Sequence, residues 1–324
     1  MSDVLKVVVD GLWREGDKSL AIKLLAQDRR PLPGWLPGAH IDVHLPCGII
    51  RQYSLTGPHA EAGADAYLIC VSREEASRGG SRYIHETLRP GQTLLISPPR
   101  NLFALQPARQ VTLLAAGIGI TPLYTMALYL DAVGTPFELH YYVKRRENAA
   151  FVGEMAKIIS HGTCVVHCSD EGQSPRASLA DTLGDARADH HLYLCGPSGF
   201  MATARRIAAE KNWPEAQVHS EAFQPLKVAA ATDGQDTFTV TLASSGETWP
   251  VPGDKTIAQV LQEHGVAVTL SCEMGMCGAC LTPLMAGEAD HRDTVQSEAE
   301  KAAAAQQIAL CCSRSRSANL LIDL

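Results

Sequence analysis

One stretch near the carboxyl end restricts this chain more than any other. Ser271-Cys-Glu-Met-Gly-Met-Cys-Gly-Ala-Cys280 leaves four residues between its first two cysteines and two between the next pair. Plant-type 2Fe-2S loops have that spacing, with a fourth cysteine far downstream, and Cys272, Cys277 and Cys280 fit it position for position. A two-iron cluster needs four thiolates converging on a small volume. The loop must therefore wrap tightly, and Gly275 and Gly278 permit the backbone this requires. Cys311 or Cys312 supplies the fourth sulfur. The competing reading is a zinc site, but zinc ligands usually repeat a short gap in both halves. No second such pair, and no pair of histidines, stands near the end of the chain.

At 324 residues the chain exceeds one ordinary core and implies two or three domains. Cys47, Cys70, Cys164, Cys168 and Cys195 are scattered through mostly apolar segments, a distribution expected of reduced and inert thiols rather than a disulfide framework. The net charge of −7 argues against a nucleic-acid partner, which calls for a basic face. No apolar run approaches the roughly 20 residues of a membrane span. The opening Met1-Ser-Asp-Val-Leu-Lys6 lacks a basic segment followed by an apolar run, so a cytoplasmic protein with no membrane partner is expected.

Residues 1–106 alternate short aliphatic and β-branched runs with turn residues: Val4–Val9, Leu20–Ala26, His40–Leu45, Ile49–Leu55, Ala66–Val71 and Thr93–Ser97. This pattern predicts a small antiparallel β-barrel with one helix, Ser81–Leu88. From 107 to 225 strands alternate with helices: Val111–Ala115, Phe137–Val143, Thr163–His167 and His191–Cys195 against Leu123–Leu130, Phe151–Ile159, Ser178–Leu183 and Ser198–Lys211. Such alternation predicts a parallel sheet covered on both faces. Residues 226–236 are small or polar and form the expected linker. Residues 237–324 open with strands Phe238–Leu242 and Thr248–Val251. A helix Ile257–His264 follows, capped by Asp254 or Thr256 and stopped by Gly265.

Four further motifs carry chemistry. Gly117-Ile-Gly-Ile-Thr-Pro122 follows an apolar strand and opens a helix. Thr121 is expected at the N-cap, with Pro122 at the first helical position, leaving a bare and positively polarised helix end for a pyrophosphate. Cys195-Gly196-Pro197 ends another strand before another helix and should lie at the same edge of the sheet, so that the two turns bound a crevice. Strand alternation puts Arg51 and Tyr53 of Arg51-Gln-Tyr-Ser54 on one side, where Arg can hold a phosphate and Tyr an aromatic ring. Arg78-Gly-Gly-Ser81 offers amides and a hydroxyl just before a helix, a second anion site. Each motif alone also reads as an ordinary surface loop or small core residue.

In their order these motifs resemble phthalate dioxygenase reductase and its relatives over essentially the whole chain, including the vanillate O-demethylase and carnitine monooxygenase reductases. Asn101-Leu-Phe-Ala-Leu105, Gly287-Glu-Ala-Asp-His-Arg-Asp293 and Cys311-Cys-Ser-Arg314 add to the likeness. The resemblance implies an FMN-binding barrel, an NAD-binding α/β domain and an α+β plant-type ferredoxin domain. It implies that Arg51, Tyr53 and Ser54 bind flavin, with Arg51 at the phosphate and Ser54 beside the reactive ring edge. Gly79, Gly80 and Ser81 would cradle the same phosphate. Gly117, Gly119, Thr121 and Pro122 match the pyridine-nucleotide turn, Cys195, Gly196 and Pro197 the segment beside nicotinamide, and Phe223 the aromatic cover of the flavin. Ser54, Cys195 and Phe223 are then the catalytic set.

The same resemblance makes Cys311 the fourth cluster ligand, 31 positions beyond Cys280, with Cys312 standing where the family has an apolar neighbour. Arg145 and Asp170 follow successive strands. Arg145 is suited to a phosphate or an adenine, whereas Asp170 would bond a ribose hydroxyl and repel a 2′-phosphate, so NADH is expected over NADPH. The implied activity is that of a reductase moving electrons from NADH through FMN and a 2Fe-2S cluster to a Rieske-type oxygenase component, the chain itself being a monomer. The alternative is a redox sensor or stand-alone flavin reductase with no oxygenase partner. Between 237 and 324 there are ten Asp and Glu against five Lys and Arg, an excess suited to an acidic docking face.

Overall fold

The computed structural model describes residues 4–75, 77, 79–223 and 237–324; the expected linker 226–236 and Arg78 lie outside them. The chain divides into two compact units, Met1–Phe223 and Gln224–Leu324.

The first unit opens with six antiparallel strands: β1 (Leu5–Glu15), β2 (Ser19–Ala26), β3 (His40–His44), β4 (Ile50–Thr56), β5 (Tyr67–Ser72) and β6 (Thr93–Ile96). They close a barrel in the order β1-β2-β5-β4-β3-β6. Alternation packs Val7, Val9, Ile22, Leu24, Ile41, Val43, Leu55, Ile69 and Ile96 inside it. Strand β1 runs well past the expected Val9 because a bulge between Val9 and Gly11 absorbs a register shift and lets pairing continue to Glu15. Helix α1 (Gly80–Glu86) packs Ile84 into the barrel core.

The barrel leads into a five-stranded parallel sheet of β7 (Gln110–Ala116), β8 (Phe137–Val143), β9 (Thr163–Cys168), β10 (His190–Gly196) and β11 (Val218–Ala222). Helices α2 (Ile120–Val133) and α3 (Val152–Ile158) contribute to the core on one face, and α4 (Pro175–Thr182) and α5 (Ser198–Glu210) to the core on the other. Central β7 is buried from Val111 to Ala116 and mostly apolar, because both its faces are covered. The spatial order is β11-β10-β7-β8-β9, so the chain winds one way from β7 and returns to place β10 on the other side. The carboxyl ends of β7 and β10 therefore flank a topological switch point, where open α/β sheets form their crevice.

The second unit holds a mixed sheet of β12 (Phe238–Leu242), β13 (Thr248–Val251), β14 (Leu281–Ala286), β16 (Gln307–Ala309) and β18 (Asn319–Ile322), in the order β13-β12-β18-β14-β16. A two-stranded pair, β15 (Ala289–Asp290) with β17 (Arg314–Ser315), stands beside it. Helix α6 (Ile257–Glu263) buries Ile257, Val260 and Leu261. Thr256 is its N-cap. Its hydroxyl accepts from Gln259 N at 3.1 Å while Gln259 Oε1 accepts from Thr256 N at 2.9 Å, a complete capping box.

Thr121 differs from its expected role. A 3-10 turn, Gly117–Gly119, precedes α2, and Gly119 takes the N-cap position without any side-chain cap. The Thr121 hydroxyl instead donates to Ile118 O at 3.0 Å, inside the first turn.

Candidate functional site

The cluster loop is shaped by left-handed backbone at three positions: Glu273 (φ 56°), Gly275 (φ 73°) and Gly278 (φ 70°). Curling this way aims main-chain amides inward. Met274 N and Met276 N donate to Cys272 Sγ at 3.3 and 3.4 Å, Ala279 N to Cys277 Sγ at 3.4 Å and Gly275 N to Cys311 Sγ at 3.3 Å. All four cysteines are buried. Hydrogen bonds from Cys277 and Cys311 hold the Cys272 thiol down and one from Cys311 holds Cys280 down, while bonding to Cys272 pushes the Cys277 and Cys311 thiols up. Four buried cysteine sulfurs within hydrogen-bonding reach of one another, served by loop amides, form a donor set that fits a 2Fe-2S group.

The loop is braced from outside. Thr294 N and Val295 N donate to Gly275 O at 2.9 and 3.2 Å, and a Cβ on Gly275 would lie 2.8 Å from Asp293 Cα and 2.5 Å from Cys312 Sγ. Cys312 Sγ therefore packs against Gly275, while Cys311 Sγ accepts from its amide. Arg314, buried, donates to Lys255 O at 3.0 Å and lies 5.0 Å over the Phe238 ring, anchoring the tail that carries Cys311.

In the first unit the two expected turns meet. A Cβ on Gly119 would fall 2.2 Å from Cys195 O, and one on Gly196 would fall 2.8 Å from Ala116 Cβ and 2.9 Å from the Phe200 ring. The start of α2 thus lies directly on the end of β10, and only glycine permits it. Pro197 precedes the first turn of α5, as expected. Helix α2 also packs against β4, the strand carrying Tyr53 and Ser54.

Arg51 lies across the start of α1: a Cβ on Gly80 would be 2.8 Å from Arg51 Cγ, and Gly79 (φ 102°) turns the chain into the helix. A guanidinium beside a helix start suits a phosphate. Ser77, which the motif reading overlooks, accepts from Gly79 N, Arg82 N and the Ser81 hydroxyl at 3.2, 3.3 and 3.0 Å, so it orders this turn. The Tyr53 hydroxyl is pushed up by burial, keeping the phenol neutral. Ser54 Oγ is buried with no protein partner, as a hydroxyl reserved for a bound group should be.

Two residues absent from the expected set stand beside Ser54. His40 faces it across β3 and β4, and His40 Nδ1 is 3.9 Å from Glu221 Oε1. Glu221 in turn is the cross-strand neighbour of Cys195. Burial raises the Glu221 carboxyl to about 8 and lifts the Cys195 thiol well above its usual range, with the Glu221 charge adding to the latter. A neutral carboxylic acid and an imidazole can hold or move a proton here, whereas Cys195 remains an uncharged thiol. Phe223, just beyond β11, is half-buried and packs on the core containing Ile120 and Cys195.

Arg145 and Asp170 sit at the carboxyl edges of β8 and β9, joined by Asp170 N donating to Lys144 O at 3.2 Å. Arg145 Nε is 3.0 Å from Glu147 Oε1, and Arg146 Nη2 is 3.6 Å from Glu171 Oε2.

Comparison with known proteins agrees with this arrangement. Residues 240–316 match the family model of the 2Fe-2S iron-sulfur cluster binding domain. Vanillate O-demethylase oxidoreductase of Pseudomonas sp. (strain HR199 / DSM 7063) is 41% identical over 324 residues, covering 99% of this chain and 100% of that one. Among solved structures, an intact type IV self-sufficient cytochrome P450 monooxygenase superposes with a TM-score of 0.86 at 35% identity over 99% of this chain, which spans 41% of that longer protein. Phthalate dioxygenase reductase, described as a modular structure for electron transfer from pyridine nucleotides to [2Fe-2S], superposes with a TM-score of 0.73 at 34% identity, over 99% of this chain and 98% of the other. With identity and fold both running end to end, the chain belongs to the phthalate dioxygenase reductase family, together with vanillate O-demethylase oxidoreductase.

Proposed function

We propose that the chain is the reductase component of a Rieske-type two-component oxygenase, taking electrons from NADH through FMN to a 2Fe-2S cluster and on to the oxygenase. The observation that carries this reading is the convergence in one unit of a nucleotide crevice and a strand bearing an unpartnered buried hydroxyl, with a three-cysteine loop joined by Cys311 in the other. When bound, nicotinamide supplies a hydride, flavin takes pairs and releases single electrons, and the cluster carries single electrons.

The residues divide the remaining work. Arg51, with Gly79, Gly80 and Ser81, holds the flavin phosphate, and Tyr53 lies against the ring. Ser54 Oγ bonds the reactive edge, while His40 and Glu221 behind it exclude water and hold a proton. Phe223, packed on the core beside Cys195, would cover the flavin ring, and Cys195 would line the place for nicotinamide. Gly117, Gly119, Thr121 and Pro122 receive the pyrophosphate with Gly196 and Pro197 opposite. Arg145 and Arg146 already answer Glu147 and Glu171, and Asp170 adds a further negative charge, which favours NADH over a 2′-phosphorylated nucleotide. Amides of the loop from Cys272 to Cys280 stabilise charge on the sulfurs and so raise the potential at which the group accepts an electron.

No helix among the described residues is long and apolar enough to cross a membrane. We place the protein in the cytoplasm, acting as a monomer. Its acidic carboxyl-terminal unit meets a basic face of the oxygenase. Reconstituted turnover with the oxygenase should fall as salt rises from 50 to 300 mM, roughly a Debye-length change from 14 to 6 Å; a flat salt response would remove the electrostatic docking.

A further inference from the structure

The barrel and the parallel sheet touch at a place that the proposed electron path does not use. Strand β1 ends in Glu15 and turns through Gly16 and Asp17 into β2, and this hairpin rests on the loop 144–151 that follows β8. Three contacts join them. Glu15 Oε2 accepts from Phe151 N at 3.1 Å, Asp17 N donates to Glu147 O at 2.9 Å, and a Cβ on Gly16 would lie 3.0 Å from Glu147 O and 3.2 Å from Ala149 O. Trp13 Nε1 donates to Glu15 Oε1 at 2.9 Å and so fixes the carboxylate from its other side.

The loop depends on these contacts. Phe151 sits at φ 62°, a left-handed conformation that a bulky residue adopts only when its surroundings impose it. The Glu15 bond to its amide is one such constraint, and the stacking of its ring on Tyr124, centroids 4.5 Å apart, is another. Glu147 joins the two ends of the device: its carbonyl takes the barrel's Asp17 amide while its carboxylate holds Arg145 at 3.0 Å. Arg145 and Arg146 stand half-exposed at the carboxyl edge of β8, where the adenosine end of a dinucleotide lies if the proposed function is right.

We infer that the β1–β2 hairpin of the flavin barrel, through Glu15, is a positioning element for the nucleotide loop, setting Arg145 and Arg146 for the adenosine half of NADH. The barrel thereby contributes to nucleotide affinity at a distance from the flavin edge. The inference rests on the proposed NADH site, and the experiment separates the two.

In flavin- and cluster-loaded protein under argon, the rate of flavin bleaching is followed against NADH concentration. Glu15→Ala should raise the half-saturating NADH concentration roughly tenfold, the equivalent of one lost hydrogen bond, with the limiting rate and flavin content held within about twofold. Glu15→Gln keeps an oxygen for Phe151 N and should restore most of the affinity. Trp13→Phe, a milder change at an exposed ring, should give a smaller rise of the same kind and serves if Glu15→Ala folds poorly. An unchanged half-saturating concentration in Glu15→Ala and Trp13→Phe would overturn the inference, as would equal losses of rate, flavin and affinity in the Ala and Gln variants. A wild-type flavin that NADH does not bleach at all would instead sink the underlying reading, and the inference with it.

Discussion

In the carboxyl-terminal unit four sulfurs come from two short segments, Cys272–Cys280 and Cys311, and amides of the same loop serve them. In the amino-terminal unit Ser54, His40, Cys195 and Glu221 come from four different strands, brought together by the closure of the barrel and the winding of the sheet. One site is a property of a loop; the other is a property of a fold. A local site should therefore fail one ligand at a time, leaving the rest of the chain intact. A distributed site should fail together with the packing that assembles it.

The largest effect tests the local half of this contrast. Cys311→Ser should abolish the visible absorbance and iron content of the cluster while flavin binding continues. Cys312→Ser should retain both, because Cys311 Sγ accepts from the Gly275 amide of the loop whereas Cys312 Sγ makes its contacts with Ala309 O and Ser313 Oγ. The reverse result would exchange the ligand assignment.

Gly119→Ala tests the distributed half. Its Cβ would lie 2.2 Å from the Cys195 carbonyl, backbone against backbone, so α2 and β10 must separate. A loss of at least ~2 kcal/mol in the first unit is expected, measured by its thermal transition, with reduction by NADH lost and the cluster spectrum unchanged. Loss of the cluster as well would mean that the two units are not independent.

The smallest effect concerns pH. His219, stacked on Tyr193 and hydrogen-bonded to His191 at 2.8 Å, has its imidazole lowered to about 4, by burial first and by His191 second. Burial also lowers His140, His167 and His190. Below the unfolded value of about 6.5 the unfolded chain binds protons that the folded unit refuses, so stability is lost as pH falls from about 6.5 toward about 4. Glu221, its carboxyl raised to about 8, works in the opposite sense over the upper part of that window, so the test is the difference between proteins: the thermal transition of His219→Gln should fall less on acidification than that of the native chain, and an unchanged slope would remove His219 from the account.

The same contrast explains what was legible in the sequence. The cluster loop was readable almost in full, since ligand spacing and the glycines at left-handed positions are local facts. The barrel and the alternating α/β elements followed from periodicity, and Phe137–Val143, Phe238–Leu242 and Thr248–Val251 agree to the residue. Strand β11 was hidden because Val218–Ala222 is half polar and half-buried along its length. Strand β14 was hidden because Pro283 stands inside its run, and β16 and β18 because each is short and defined by pairing to distant segments. Thr121 was misplaced as a cap since the preceding 3-10 turn puts Gly119 there, a position dictated by contact with Cys195. His40 reads as one of the polar positions alternating along its strand with Asp42 and His44, and Glu221 as an ordinary acid near Phe223. Only their burial and their approach to 3.9 Å mark them.

The central claim is that electrons entering at the distributed site leave by the local one. Anaerobic addition of NADH to the loaded protein, followed by visible absorbance and EPR, tests this most directly. Flavin absorbance should fall and a reduced-cluster EPR signal should appear, with Cys311→Ser showing the first change without the second. Persistence of the oxidised flavin and cluster spectra in excess NADH would contradict the account.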